Sequence, residues 1–400
     1  MVGLFKKNNN KNISLKEEEV PKATNDSKPP VVTNTAPASA APEPSANKTI
    51  LVIGGGPAGL EAARGASELG YPVVLVEKNA FLGGKPIEAN YALLAPDFRN
   101  AVDVMAEMIQ PVQRDSNIKI YLTSRVTNVT GEVGNFSIEI SNDEGNKSSI
   151  SAGAVVVATG FNHFDPANAT QHWGYYELDD VITLPDAEAM LKQHKFVKPS
   201  NGEAPERVCF IQCVGSRDRQ LGNQWCSKVC CGIACKQAIE VRKLLPNARV
   251  YVFYIDLRAY GFWEDELYWK AQEEHKVNFI KGVMTEVIKK GDRLMVKGED
   301  TTMGRPMEIP MDVVVLSNGM EPSDGTKEMS KLLELPVESH GYIATKQFGL
   351  NTVETERPGI YACGAALGPA DLKDSISSGG AAAMKAAASL RKLSFQVATH

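Results

Sequence analysis

A strand, a glycine-rich turn and a helix follow one another directly at residues 49–69, and this succession restricts the fold more than any other part of the sequence. Residues 49–53 are an apolar run of strand length, residues 54–59 read Gly-Gly-Gly-Pro-Ala-Gly, and the next dozen residues are rich in Ala and Leu. Residues 73–76 form a second apolar strand. The chain therefore starts a β-α-β unit, which predicts a parallel sheet covered by helices.

The glycines have the spacing of a dinucleotide-binding fingerprint. Gly54 allows the tight turn, Gly56 lets backbone amides approach a pyrophosphate, and Gly59 permits close packing of helix on strand. Glu77 ends the second strand, 23 residues after Gly54, where its carboxylate can accept hydrogen bonds from a ribose hydroxyl. These features predict a dinucleotide site rather than a purely structural turn.

A second β-α-β pattern occurs in the middle of the chain, with strands at 208–212 and 249–255 and a helix at 227–245. An apolar strand that ends in glycine occurs once in each half, at 154–160 and 312–319. The repeat predicts an α/β fold with two Rossmann-like dinucleotide-binding domains, the second inserted into the first.

Domain boundaries follow from these patterns. Residues 1–47 contain an Asn run, a Glu run and a stretch rich in Pro, Ala, Ser and Thr, which predicts a disordered tail, either a solvated linker or a docking arm. The predicted parts of the ordered chain are a first domain at 48–165, an inserted domain at 166–324 and the return to the first domain at 325–395.

Charge and hydropathy narrow the possible partners. The formal net charge is −5, so the basic face needed for nucleic acid is not indicated. No run of eighteen apolar residues occurs, so no direct membrane span is expected. Seven cysteines in 400 residues are too few for a disulfide scaffold, which favours a cytoplasmic location.

Six of the seven cysteines lie between Cys209 and Cys235. Four of them have the spacing C-x12-C-x3-C-C, namely Cys213, Cys226, Cys230 and Cys231. We expect the first at a strand end and the other three in the first turns of the helix, where their thiolates could hold an iron–sulfur cluster. They occupy the place of a second glycine fingerprint, which makes a second nicotinamide site doubtful.

Other roles for these thiols remain open. Structural zinc, a vicinal disulfide or mobile redox pair, and inert buried thiols would each use cysteines, although the usual C-x2-C zinc knuckle is absent. Cys209 and Cys235 are predicted to be core residues rather than ligands, and Cys363 is predicted to pack beside the cofactor.

Three further motifs resemble the FAD domain of the two-dinucleotide-binding-domain flavoproteins, the superfamily of thioredoxin and glutathione reductases. They are Gly83-Gly84, the strand end Ala158-Thr159-Gly160, and the strand 359–364 that leads into a last helix near Asp374 and Ser375. The resemblance favours FAD over NAD. It implies a set of cofactor-binding residues: Gly54, Gly56, Pro57, Ala58, Gly59, Glu77, Lys78, Gly83, Gly84, Ala158, Thr159, Gly160, Gly364, Asp374 and Ser375.

A narrower resemblance covers nearly everything from residue 48 to 390. The segments 210–218, 226–238, 259–261 and 368–371 are similar to the A-type subunit of heterodisulfide reductase. This resemblance implies FAD and one four-iron four-sulfur cluster, with Cys213, Cys226, Cys230 and Cys231 as ligands. Lys236 matches a family lysine placed near the flavin N5, its alternative being a solvated helix lysine.

The chain lacks cysteines for the additional clusters of the methanogen protein. It looks like the compact A-type subunit of the heterodisulfide-reductase-like complex of sulfur oxidisers, in which lipoate-bound sulfur is the proposed electron source. The resemblance implies a homodimer, partner subunits of that complex and a role in sulfur metabolism. Alternatives are the A-type subunit of a quinone-interacting oxidoreductase, a stand-alone NAD(P)H-dependent thiol or disulfide reductase, and a module in which both cofactors only hold an assembly together.

Overall fold

The structure is a computed structural model that describes residues 47–347 and 349–398. The strands are β1 (Ile50–Ile53), β2 (Val73–Val76), β3 (Leu93–Leu94), β4 (Arg99–Asn100), β5 (Ile118–Tyr121), β6 (Ser124–Glu132), β7 (Asn135–Asn142), β8 (Lys147–Ala152), β9 (Ala154–Val157), β10 (Phe161–His163), β11 (Val181–Thr183), β12 (Arg207–Val214), β13 (Arg249–Tyr254), β14 (Asn278–Lys290), β15 (Arg293–Asp300), β16 (Arg305–Met311), β17 (Val313–Asn318), β18 (Met320–Pro322) and β19 (Ile360–Ala362).

The α-helices are α1 (Pro57–Glu68), α2 (Lys85–Glu88), α3 (Ala101–Arg114), α4 (Leu184–Lys192), α5 (Cys230–Leu244), α6 (Lys270–Glu273), α7 (Asp324–Leu332) and α8 (Leu372–Ala398). A π-helical turn, Glu264–Trp269, leads directly into α6. Across the described ranges, no helix combines the length and the apolar character needed to span a bilayer.

The first sheet has five parallel strands in the order β5-β2-β1-β9-β19. Every residue of β1, β2 and β9 is buried, as expected for a parallel sheet covered on both faces. Side chains alternate along β1: Ile50 and Val52 join a core with α1 and α8, whereas Leu51 and Ile53 join a core with the antiparallel sheet β6-β7-β8.

The second sheet has seven strands in the order β11-β17-β12-β13-β14-β15-β16. The first five are parallel neighbours, and β15 and β16 extend the sheet by antiparallel pairing. Strand β17 pairs with β12 as β9 pairs with β1, so the two glycine-ended strands of the internal repeat occupy equivalent positions. The predicted α/β fold with two Rossmann-like units is confirmed.

The chain leaves the first sheet after β9 and returns to it after β18. The two crossings, β10 and β18, pair with each other as a short antiparallel ribbon. Residues of the ribbon line the same cleft as Ile53 at the end of β1 and Cys230 at the start of α5. The domain boundaries 48–165, 166–324 and 325–395 stay a prediction, and residues 1–46 of the expected tail lie outside the described residues.

One predicted helix begins later than expected. We expected helix from about residue 227, with Cys226 and Cys230 on one helical face, but α5 starts at Cys230 and Cys226 lies in the preceding loop. The cause is a tight turn: Lys228 is left-handed, with φ 62°, and the N–H of Val229 bonds to the carbonyl of Ser227 at 2.6 Å.

A substitution in α1 tests the closest approach of helix and strand. A Cβ on Gly59 would lie 1.8 Å from the carbonyl oxygen of Gly54, whereas one on Gly65 would meet the Ala383 Cβ at 3.4 Å, an ordinary contact. We predict that Gly59→Ala lowers the free energy of unfolding by about 1–3 kcal/mol through overpacking. Gly65→Ala in the same helix should raise it by up to about 1 kcal/mol through helix propensity. Urea unfolding measures the free energy of unfolding of both variants. Equal changes in the two variants would contradict the close approach of Gly59 to the carbonyl of Gly54.

Candidate functional site

A cleft opens where the carboxyl ends of β1, β2 and β9 meet the start of α1, the place where doubly wound folds bind ligands. The expected cofactor-binding residues that line it are Gly54, Gly56, Pro57, Ala58, Glu77, Lys78, Gly84, Ala158, Thr159, Gly160 and Ser375. Lys236 and Cys230, from the second sheet's side, line the same cleft. The structure therefore brings most of the predicted site together.

The turn after β1 leaves backbone amides facing the cleft. Gly54 has φ 110°, and a Cβ there would lie 2.4 Å from the carbonyl oxygen of Ala158, so glycine is required. Gly56 is the N-cap of α1, and among the described residues no side chain caps that helix end. Its first N–H groups thus remain available to an anion such as a pyrophosphate.

Glu77 closes one side of this turn. It is 6% exposed, and its carboxylate accepts hydrogen bonds from the N–H of Gly55 at 2.6 Å and of Asn79 at 2.8 Å. These bonds fix the carboxylate at the end of β2, where it lines the cleft. A side chain held in this way can present its remaining acceptor positions to a ribose.

The far end of the cleft is bordered by the start of α8. Asp371 and Asp374 cap this helix reciprocally: the N–H of Asp374 bonds to the Asp371 carboxylate at 2.7 Å, and the N–H of Asp371 bonds to the Asp374 carboxylate at 3.2 Å. Asp371, Leu372 and Ser375 line the cleft, but Asp374 does not. The Asp374 carboxylate instead forms an ion pair with Lys228.

Three other predicted residues act behind the cleft wall rather than in it. Gly59 packs against Gly54, and a Cβ on Gly83 would lie 2.5 Å from Ile87. The N–H of Gly364 bonds to the Ser378 hydroxyl at 2.9 Å.

Lys236 is buried, with 1% of its surface exposed, which rules out a solvated helix lysine. Its ammonium contacts the Glu188 carboxylate at 2.5 Å, the Glu240 carboxylate at 2.9 Å and the carbonyl of Leu93 at 3.0 Å. Burial raises the pKa of Glu240, and the ammonium opposes that rise. A cation held by two carboxylates therefore stands in the cleft wall.

Glu188 was not among the predicted site residues, although its position in α4 carries a signal. In α4 it shares the buried face with Leu184, Ala187 and Leu191, so a glutamate occupies a core position of an amphipathic helix. Its second oxygen accepts the N–H of Ala92 at 2.9 Å, which connects α4 to the segment before β3.

The four predicted ligand cysteines lie around the start of α5. Each of the seven cysteines, all within the described ranges, is a free thiol. Cys213 lies near the end of β12, Cys226 in the loop before α5, and Cys230 and Cys231 in the first turn of α5. Cys209 and Cys235 are fully buried in apolar cores, as expected.

Several donors point at these sulfurs. The N–H of Lys228 bonds to the Cys226 sulfur at 3.3 Å. The Cys231 thiol donates to the carbonyl of Asp256 at 3.9 Å. The neighbouring Cys230 thiol is the main cause that lowers the pKa of Cys231, while the pKa of Cys230 rises well above its usual value. Burial is the main cause that raises the pKa of Cys213 to about 11, and Arg217 opposes it.

The backbone around the thiols is strained. Cys213, Arg217 and Lys228 all have positive φ, at 65°, 57° and 62°. Buried polar atoms of Gln212, Ser216 and Arg217 have no hydrogen-bond partner in the part of the chain that the structure describes. Strain and unsatisfied donors concentrate at sites that hold a ligand. No group of three or more His, Cys, Asp or Glu side chains within those ranges is arranged to hold a single metal ion.

The fold and the site define a two-dinucleotide-binding-domain flavoprotein. Residues 48–389 match the family described as pyridine nucleotide-disulphide oxidoreductase, and the chain belongs to that family. Family membership supports FAD as the dinucleotide of the cleft.

Curated relatives confirm the narrower resemblance. An A-type iron–sulfur subunit of CoB–CoM heterodisulfide reductase from Methanopyrus kandleri is 29% identical, over 85% of this chain and 64% of that protein. The A-type subunit of the ferredoxin- and F420H2-dependent CoB–CoM heterodisulfide reductase from Methanosarcina acetivorans is 31% identical, over 85% of this chain and 53% of that protein. The chain thus spans less than two thirds of the length of these relatives.

Solved structures agree on the fold. The thioredoxin reductase of Lactococcus lactis has a TM-score of 0.58 at 19% identity, covering 86% of this chain and 99% of that one. At this identity the likeness concerns the fold alone.

Removal of the buried cation tests the ion cluster in the cleft wall. Lys236→Met leaves two buried carboxylates without a counterion, so we predict a loss of about 3–5 kcal/mol in unfolding free energy at pH 8. Burial then holds the pKa of Glu240 above that of the unfolded chain, with no ammonium to oppose the rise. The native state therefore binds more protons, and the loss should shrink as the pH falls towards 5.

Lys270→Met is the matched control. Lys270 pairs with Glu266 at 3.1 Å on the surface, so its loss should cost less than about 1 kcal/mol at either pH. Equal, pH-independent losses in the two variants, measured by urea unfolding, would contradict the buried cluster.

Proposed function

We propose that the chain is an electron-transfer subunit that carries FAD and a four-iron four-sulfur cluster, and that it works within a heterodisulfide-reductase-like complex of sulfur metabolism. One observation carries the proposal: Cys230 lines the dinucleotide cleft and is also a member of the four-thiol site. Two redox centres bound here would be direct neighbours. A flavin exchanges two electrons at a time and a cluster one, so together they would connect a two-electron donor to one-electron acceptors.

The residues of the cleft fit FAD by their own geometry. The uncapped start of α1 would hold the pyrophosphate, Glu77 a ribose, and the start of α8 the far end of the cofactor. Lys236 would place a cation beside the redox-active ring, with Glu188 and Glu240 fixing its position.

The thiol site fits a cluster through its donors and charge. Cluster sulfurs and cysteine thiolates are stabilised by N–H donors, and the backbone of Lys228 supplies one to Cys226. The uncapped start of α5 at Cys230 adds positive potential. Cys213, Cys226, Cys230 and Cys231 are the proposed ligands.

The relatives' names support a multi-subunit setting, since they describe subunits that act with ferredoxin or on a CoB–CoM heterodisulfide. For this chain we propose partner subunits of a related complex, a homodimeric core and the cytoplasm, where thiols stay reduced. Its electron donor and acceptor would be identified by co-purification; a quinone-linked partner would favour the alternative of a quinone-interacting oxidoreductase.

A second function is favoured by one observation. Cys230 and Cys231 are adjacent thiols in the first turn of α5, and the pKa of Cys231 is lowered, mainly by the Cys230 thiol; a vicinal pair with one activated thiol suits a thiol or disulfide reductase. This candidate predicts steady NAD(P)H-dependent turnover by the isolated chain. The electron-transfer proposal predicts turnover only with partner subunits.

Cys230→Ala tests the ligand assignment. We predict that the variant, purified without oxygen, loses its iron and sulfide but keeps FAD, because the cleft residues of the first sheet are unchanged. Cys235→Ala is the control, since Cys235 is fully buried one turn further along α5 and should leave the iron in place. A full iron complement in Cys230→Ala would show that the assignment is wrong.

Gly56→Val tests the pyrophosphate position. A Cβ on Gly56 has its nearest described neighbour, the Gly84 Cα, at 3.7 Å, so the variant has room to fold. Its branched side chain would occupy the space over the first N–H groups of α1, so we predict loss of FAD from a folded protein. Absorbance at the flavin bands and circular dichroism measure the two quantities. Retention of FAD would contradict the proposed position.

A further inference from the structure

The loop that carries Cys226 is held from two sides. On one side, the indole N–H of Trp225 bonds to the carbonyl of Met320 at 3.1 Å, and the N–H of Met320 bonds to the Ser227 hydroxyl at 2.8 Å. Met320 belongs to β18, part of the ribbon between the two sheets. The residues before and after Cys226 are therefore fixed to one residue of the ribbon.

On the other side, Lys228 makes two contacts with different parts of the site. Its backbone N–H bonds to the Cys226 sulfur, and its ammonium pairs with the Asp374 carboxylate. Lys228 and Asp374 are 146 positions apart in the chain. Lys228 adopts its left-handed φ without being glycine, and that conformation makes the turn before α5 possible.

Asp374 lies in the first turn of α8, between Leu372 and Ser375, which both line the cleft. Its carboxylate also accepts the N–H of Asp371. A charge at this position lies near a group bound in the cleft and, through Lys228, near the thiol site.

We propose that Lys228 is a positioning residue that ties the Cys226 loop to the start of α8 and balances the Asp374 charge beside both redox centres. The proposal rests on the proposed function, because it assigns Lys228 a role toward the two cofactors. The side chain of Lys228 does not line the cleft, so it acts through Asp374, and its backbone acts through Cys226. Its effect is on the charge that each centre experiences when it accepts electrons.

Removing either charge of the Lys228–Asp374 pair should shift the flavin midpoint potential, and the two shifts should have opposite signs. Lys228→Met leaves the Asp374 carboxylate uncompensated, which disfavours an added electron and lowers the flavin midpoint potential. Asp374→Asn leaves the Lys228 ammonium uncompensated, which raises the flavin midpoint potential. The amide oxygen of the variant can still accept the N–H of Asp371 and so cap α8. We expect a three- to tenfold change in the reduction equilibrium in each case, about 14–30 mV for a two-electron couple.

Three further variants complete the test. The double variant Lys228→Met/Asp374→Asn should return close to the native potential, and Lys228→Arg should keep it. Lys385→Met is the matched control. Lys385 also belongs to α8, about 16 Å further along the helix axis than Asp374, and it pairs with Glu354 at 3.1 Å. The exposure of this pair is similar to that of Lys228 and Asp374. Since the pair is partly exposed, the shifts should shrink at high salt.

The potentials are measured by anaerobic redox titration of the full chain, followed optically for flavin and by electron paramagnetic resonance for the cluster. Iron and flavin contents should match the native protein in every variant, because the N–H of residue 228 still reaches Cys226. Shifts of the same sign in both single variants, or none beyond the Lys385→Met control, would overturn the role of Lys228. Flavin without iron in the native chain would contradict the cluster proposal alone, since the shifts in flavin potential would still test the ion pair. Absence of flavin would overturn both the proposed function and the role of Lys228.

Discussion

The first N–H groups of an α-helix have no partner within the helix, and the starts of α1, α5 and α8 all border the same cleft. Pro57 and Ala58 of α1, Cys230 of α5, and Leu372 and Ser375 of α8 all line it. Side chains cap α8, whereas among the described residues none caps α1 or α5. The combined positive potential favours negative charge, whether from a pyrophosphate, from thiolates or from a reduced cofactor. The proposed roles of the glycine turn, the cysteines and the last helix all depend on this convergence.

The two β-α-β units use this geometry differently. In the first, β1 is followed by Gly54 in a left-handed conformation and by a short turn into α1. In the second, Cys213 near the end of β12 is itself left-handed, and a longer loop with Cys226 precedes α5. A left-handed cysteine is strained where glycine would be relaxed. The second unit thus keeps the fold of a nucleotide domain while it presents thiols at the place of a phosphate-binding turn.

The sequence was sufficient for features that depend on local chemistry. The strands and helix of the first β-α-β unit, the glycine turn, Glu77 and the two Rossmann-like units were all predicted. Contacts between distant residues were not predicted. The buried Lys236 pairs with Glu188, 48 positions away, and Asp374 pairs with Lys228 and does not line the cleft. The late start of α5 depends on the backbone of Lys228, which its residue type does not indicate. The antiparallel strands β14–β16 were missed because their side chains mix polar and apolar residues without a clear alternation.

We propose that FAD and a cluster are bound side by side, around the start of α5. The most direct test of this proposal is the stoichiometry of flavin, iron and acid-labile sulfide in the full chain purified without oxygen. We expect about one FAD, four iron and four sulfide per chain. One zinc ion with no sulfide, or a flavin-bearing chain whose four thiols titrate as free, would contradict it.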